Sequence, residues 1–107
     1  QAIQWMLVES EIEIRACRWL IWEAAWQFDN GEDFRQAASV AKLHSADTLG
    51  KVVDRSIQIH GGMGGTEWPP LERGYREARI RRIGEGPTEV QKMLIAREIL
   101  NPGGVHE

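Results

Sequence analysis

The chain of 107 residues has a single cysteine, Cys17, so no disulfide can form within it. Its three histidines, His44, His60 and His106, are scattered and carry no zinc-type spacing, which leaves no expected metal centre. Positive charge is not in surplus either. With 13 Lys+Arg against 16 Asp+Glu the net charge is -3, which removes the electrostatic case for a nucleic-acid partner, because neutralising phosphates needs excess cations. No uninterrupted apolar run approaches the roughly 18 residues that cross a bilayer, so no membrane span is expected. Glycine and proline are absent from the first 30 residues altogether. A signal peptide is not seen: Gln1 opens the chain without a charged leader or cleavage site, and reads as a cut edge within a longer protein.

What is abundant is tryptophan. Four of the five, Trp5, Trp19, Trp22 and Trp26, fall in one 30-residue segment, a larger apolar load than one helix buries alone. Gln1 to Asn30 is expected to be a helix with two apolar stripes. One runs through Ile3, Leu7, Ile14, Cys17, Ile21, Ala24 and Phe28, with Ser10 filling its gap, and the other through Trp5, Val8, Ile12, Ala16, Trp19 and Trp26; two stripes mean two packed faces. Asn30-Gly31 stops it, and Asp33 is the expected N-cap of a second helix ending at His60. Small residues on its inward side (Ala37, Ala38, Ala41, Ser45, Ala46, Ser56) allow close helix approach. Gly61 to Gly65 form a flexible glycine turn, Pro69-Pro70 break the chain again, and Leu71 to Ile83 reads as a short helix with a salt-bridged outer face. After the loop Gly84-Glu85-Gly86-Pro87, a last helix begins at Pro87 and ends near Asn101, with a disordered tail. The fold expected is all-α, an antiparallel up-and-down four-helix bundle.

Chemistry, if there is any, belongs to the two glycine-bearing loops. QIHGGMGGTE follows a helix rather than a strand and lacks the dinucleotide-binding glycine spacing, so its residues read first as a helix stop and second as a ligand loop. Glu85, flanked by two glycines, is either a solvated loop acid or a carboxylate free to reach into a cleft.

Taken together, QIHGGMGG, EWPPLERGYREARI, EGPTEVQ and the IAR run near the end resemble the C-terminal signature of the acyl-CoA dehydrogenases, and the upstream Trp-rich helix fits the same domain. The resemblance implies that residues 1–107 are the C-terminal helical domain, with the N-terminal helical and middle β domains absent. It implies FAD as cofactor and oxidation of an acyl-CoA thioester to the trans-2-enoyl-CoA. Glu85 matches the base that abstracts the α-proton, with its own N–H and a flavin ribityl hydroxyl holding the thioester carbonyl. Gln58, Ile59, His60, Gly61 and Gly62 match the loop that touches the adenosine end of FAD held by a neighbouring subunit. Pro87, Thr88 and Glu89 match a stretch contacting FAD in the same subunit, and Gly86 matches a position beside the substrate. Arg73, Tyr75, Arg76, Arg79 and Arg97 match the signature and are expected to form ion pairs holding their helices against the bundle.

Three positions depart from the common pattern: Gly84, Pro87 and Glu89 stand where family members commonly have Tyr, Thr and Gln. Further implications are an electron-transfer partner, a homodimer or homotetramer, and a bacterial cytoplasmic or mitochondrial-matrix location rather than secretion. Two other readings stay open: an acyl-CoA oxidase-like or nitroalkane-oxidising relative on the same fold, and a non-catalytic helical oligomerisation module.

Overall fold

The computed structural model describes residues 1–103; the tail expected to be disordered lies, from residue 104 on, outside the described residues. Four α-helices and one 3₁₀ turn account for the regular structure: α1 (Ala2–Asp29), α2 (Arg35–His60), the 3₁₀ turn Gly61–Gly65, α3 (Leu71–Ile80) and α4 (Thr88–Leu100). The all-α, four-helix architecture expected from the sequence is the one the chain adopts, and no strand occurs among the described residues. Its axis is α2. Helices α1, α3 and α4 each pack on α2, while α1, α3 and α4 make no contact with one another among the described residues.

The end of α1 follows from its last residues. Gly31 takes a left-handed φ of 71°, its N–H donates to Phe28 O at 3.1 Å, and the Glu32 N–H donates to Gln27 O at 2.9 Å, so the final carbonyls are satisfied as the chain reverses. Phe28 and Phe34 then meet edge to face across the turn at 5.1 Å. Helix α2 starts two residues later than Asp33, with Phe34 at the N-cap position. Asp33 still acts on that terminus: its Oδ1 accepts the Arg35 N–H at 3.2 Å, and its carboxylate pairs with the Arg35 guanidinium.

The inward face of α1 keeps Ser10, Cys17 and Ala24 of the first expected stripe and is otherwise turned away from it. The residues of α1 withdrawn from solvent are Met6, Ser10, Glu13, Cys17, Leu20, Ala24 and Gln27. Ile3, Leu7, Ile14, Ile21 and Phe28 flank that line and stay exposed, as do Trp5, Trp19, Trp22 and Trp26. Only one face of α1 is therefore packed in this chain, and it is the more polar one. The reason is an ion pair: Arg55 of α2 reaches across to Glu13 with Nη1–Oε2 at 2.6 Å and Nη2–Oε1 at 3.2 Å, and its Nε lies 3.2 Å from Glu9. The hydrogen bonds from Arg55 hold the Glu13 carboxyl below the usual carboxylate range, outweighing its partial desolvation. On α2, the small residues Ala41 and Ala46 are buried as expected, with Ser39 and Thr48 beside them.

Helix α3 ends at Ile80, three residues short of the expected Ile83. After it the chain tightens, with the Arg81 N–H on Ala78 O at 3.2 Å and the Ile83 N–H on Ile80 O at 2.9 Å, and the carbonyls beyond are taken from outside, Arg81 O by Lys42 and Arg82 O by the Thr88 N–H at 3.1 Å. The outer face of α3 is salt-bridged as expected, but the pairs do not serve the second role expected of them. Arg76–Glu72 and Arg73–Glu77 are exposed pairs one turn apart within α3 and do not tie it to the bundle. Pro87 is the N-cap of α4 rather than its first helical residue, because its ψ of 163° is extended while its carbonyl accepts the Gln91 N–H at 3.0 Å. The glycine turn, expected to be flexible, is a 3₁₀ helix.

Candidate functional site

Glu85 sits on the short connection between α3 and α4 and is the one non-glycine residue with positive φ, at 54°, among the described residues. A side chain there normally costs about 1–2 kcal/mol, because its Cβ crowds the following carbonyl. Something must hold it. On either side, the carbonyls of Gly84 and Gly86 accept hydrogen bonds from the Lys42 ammonium of α2, at 2.9 and 2.5 Å, and Arg81 O accepts a third at 3.3 Å. Lys42 thus spends its three N–H bonds on one loop. Gly86 has φ 90°, and a Cβ on it would collide with Nε2 of the buried Gln91, which itself donates to Gly86 O at 3.3 Å. The glycine is needed both for its backbone angle and for space.

The Glu85 side chain is exposed at the mouth of a cleft of about 490 Å³ walled by Ser45, Ala46, Leu49 and Ile80. That wall is mostly apolar and comes from α2 and α3, so a carboxylate and a hydrocarbon surface face the same space. Sequence reasoning found Glu85 and Gly86 but not Lys42. A lysine within a helix reads as a solvated charge, and nothing local marks one whose partners lie about 40 positions ahead.

Pro87, Thr88 and Glu89 do not share this cleft. They line a second groove, of about 580 Å³, together with Arg79, Arg82 and Lys92. Thr88 is half-buried, and its N–H and hydroxyl both face Arg82 O, at 3.1 and 3.4 Å, so its polar groups serve the start of α4. Glu89 is exposed in the first turn of that helix, where the helix dipole favours a negative charge.

The remaining expected site residues lie elsewhere again. Gln58 to Gly62 are at the far end of α2, 18 residues or about 27 Å of helix from Lys42. Gln58 and His60 are exposed, Ile59 is half-buried, and His60 Nδ1 lies 2.8 Å from the Ser56 carbonyl, which turns the ring back along its own helix. Around Gly61, Gly62 and Gly65 a Cβ would meet nothing within 4 Å, so the backbone there is open to an approaching molecule. Gly64 is the opposite: a Cβ would lie 2.7 Å from Ile57 O, so it packs the turn onto α2. The structure therefore groups the expected residues into three places: Glu85 with Gly86, Pro87–Glu89, and Gln58–Gly62. Among the described residues no cluster of His, Cys, Asp and Glu could hold a metal ion, and no helix is long and apolar enough to cross a membrane.

The groove edged by Arg79, Arg82 and Lys92, with Asp47 and Glu89 among them, and the open glycine backbone at the far end of α2 are two separate surfaces, each of which fits part of an anionic dinucleotide such as FAD. The comparisons with known proteins agree with that class. The chain is 38% identical over 100 residues to a probable acyl-CoA dehydrogenase, YngJ, of Bacillus subtilis, a match covering 94% of this chain and 26% of that protein. It is 40% identical over 100 residues to a 3-(aryl)acrylate reductase of Clostridium sporogenes, again 94% of this chain and 26% of the relative. The butyryl-CoA dehydrogenase of Megasphaera elsdenii superposes with a TM-score of 0.92 at 35% identity, over 94% of this chain and 26% of that one. The chain thus spans about a quarter of the length of these relatives. A model of the family described as acyl-CoA dehydrogenase, C-terminal domain, matches residues 1–100, and the chain belongs to that family.

Proposed function

We propose that this chain is the C-terminal helical domain of a longer FAD-dependent acyl-CoA dehydrogenase, whose N-terminal helical and middle β domains lie outside it. Its substrate is an acyl-CoA thioester and its product the trans-2-enoyl-CoA. Glu85 takes the α-proton, the electron pair of that C–H bond becomes the new C=C bond, and the β-hydrogen departs with its bonding pair. FAD, when bound, accepts that hydrogen as hydride. Gly86 lies beside the substrate, where the absence of a side chain lets the thioester come close to the loop backbone. The Glu85 N–H holds the thioester oxygen as negative charge develops on it.

Pro87, Thr88 and Glu89 border the flavin of the same subunit, and Gln58, Ile59, His60, Gly61 and Gly62 reach the adenosine end of a neighbouring subunit's FAD. The distance along α2 between these two stretches supports a division of labour between copies, and hence a homodimer or homotetramer. Electrons leave to an electron-transfer partner. The protein works in a bacterial cytoplasm or a mitochondrial matrix.

The observation that carries the reading is Glu85: a carboxylate held at positive φ on a clamped loop, at the mouth of an apolar cleft, in a chain of this family. The test is the visible spectrum of the full-length flavoprotein mixed anaerobically with a panel of acyl-CoA thioesters. Bleaching by one of them upholds the dehydrogenase and names its substrate class, while a bound flavin that none of them bleaches overturns it. The name of the Clostridium sporogenes relative favours one second reading, the same residues working in the reducing direction on an unsaturated substrate. Reoxidation of the reduced flavin by enoyl-CoA or acrylate compounds, without bleaching by any saturated thioester, would select it.

A further inference from the structure

The geometry points to Lys42 as a positioning residue of the reaction: its ammonium sets the direction of the Glu85 N–H and strengthens it as a donor to the thioester oxygen. The inference rests on the function proposed above and adds to it a residue on a different helix. Its basis is the clamp on the carbonyls of Gly84, at 2.9 Å, and Gly86, at 2.5 Å.

A trans peptide unit holds its C=O and N–H antiparallel. With the Gly84 carbonyl drawn toward α2 by Lys42, the N–H of the same unit, which belongs to Glu85, points away from α2. Among the described residues that N–H has no backbone acceptor, nor has the next one, of Gly86, whereas those of Ile83, Gly84 and Thr88 are satisfied at 2.9 to 3.1 Å. A free backbone donor beside the carboxylate is what an oxyanion in the cleft requires.

The cation does more than aim it. A carbonyl that accepts a hydrogen bond from an ammonium becomes more polarised, and the N–H across the same amide becomes a better donor. The charge is also suited to its place, since Arg81 O at 3.3 Å is one of the carbonyls left over at the end of α3. Of the two clamped glycine carbonyls, that of Gly86 precedes Pro87, which has no N–H, so the Gly84–Glu85 unit is the one of the two with a donor for the clamp to aim; the Gly86 N–H belongs to a unit whose carbonyl Lys42 does not hold. Lys42 also lines the cleft, but its three N–H bonds are spent on the carbonyls beside Glu85, so in this scheme its ammonium acts on the thioester through the loop.

The test uses the full-length flavoprotein with Lys42→Met, Lys42→Gln and Lys42→Arg, and reads two quantities. One is hydrogen–deuterium exchange at Ile83, Gly84 and Thr88, the amides that the closed loop protects. The other is the rate of anaerobic flavin reduction by an acyl-CoA. We expect Lys42→Met to speed exchange about tenfold at these amides. It should slow reduction roughly ten- to hundredfold, with KM and flavin content changed less than about twofold. Lys42→Arg keeps a cationic donor and should recover part of both. If the Met variant does not fold, the Gln variant is read in the same way. Unchanged exchange together with an unchanged rate overturns the inference, and so does a rate that falls only in step with lost flavin or a raised KM. If no acyl-CoA reduces the wild-type flavin, the proposed function fails by itself. Exchange then decides the loop clamp: faster exchange in the variant upholds it, and unchanged exchange overturns it.

Discussion

Glu85 and Gly86 carry consecutive positive φ values, 54° and 90°, and the two residues tolerate change for different reasons. At Glu85 the side chain is needed for its carboxylate, and replacing it with the amide hardly alters volume. Glu85→Gln in the full-length protein should lower the rate of flavin reduction by about 10²–10⁴ while visible absorbance shows flavin content unchanged. At Gly86 it is the absence of a side chain that matters, because a Cβ would strike Gln91 Nε2. Gly86→Ala should cost about 1–3 kcal/mol in equilibrium unfolding. The glycine turn offers a matched contrast. Gly64→Ala, whose Cβ would lie 2.7 Å from Ile57 O and 2.9 Å from Ile57 Cα, should destabilise by about 1–3 kcal/mol. Gly62→Ala opens onto free space and should change stability by less than about 0.5 kcal/mol while weakening retention of FAD. Thermal unfolding and flavin release during dialysis separate the two. Glu85 was singled out by the family signature that its loop resembles; the flanking glycines alone left it equally a solvated loop acid. Lys42 was not, because its partners lie on a loop that only the tertiary fold brings to it.

Among the elements, the boundaries set by local backbone chemistry were readable: Gly31 ends α1 and the glycine run ends α2, each within a residue or two of expectation. The boundary of α3 was not, since the chain tightens after Ile80 and the carbonyls that follow, of Arg81 and Arg82, are held by Lys42 and Thr88, which only the fold brings there. Nor was the inward face of α1. A helix apolar on most of its circumference gives periodicity no way to choose a side, and here the side is chosen by Glu13 and Arg55, which a hydrophobic count treats as outward-facing. That pair makes the α1–α2 contact sensitive to acid. Glu13 is held below its ordinary carboxylate range in the folded chain, so its contribution to stability is complete above the ordinary pKa of glutamate. It is lost as pH falls through the lowered value. Glu13→Gln should therefore cost about 1–2 kcal/mol at neutral pH, and the difference from wild type should shrink toward zero in the acid range, as followed by urea unfolding across pH.

At the scale of the whole molecule, the chain has little core of its own: the buried apolar residues are Cys17, Ala41, Ala46 and Ala78, with no large side chain fully buried among the described residues. The apolar weight is instead on the outside of α1, where Trp5, Trp19 and Trp26 are each more than half exposed. A contiguous surface of that kind marks an interface. The chain expressed alone should self-associate, and Trp19→Glu with Trp26→Glu should shift sedimentation toward the monomer. The sequence showed the tryptophan load and the need for partners, yet it could not show that one whole side of α1 would be left uncovered. The arrangement of helices has a mechanical consequence. The grip of α2 on α1 is through Arg55, and its grip on the Glu85 loop is through Lys42, 13 residues or about 20 Å earlier on the same rod. Since α1 touches neither α3 nor α4, the two grips are coupled in series through a single stiff member. A substitution that shifts α2 therefore reaches both contacts at once, the ion pair to α1 and the clamp on the Glu85 loop.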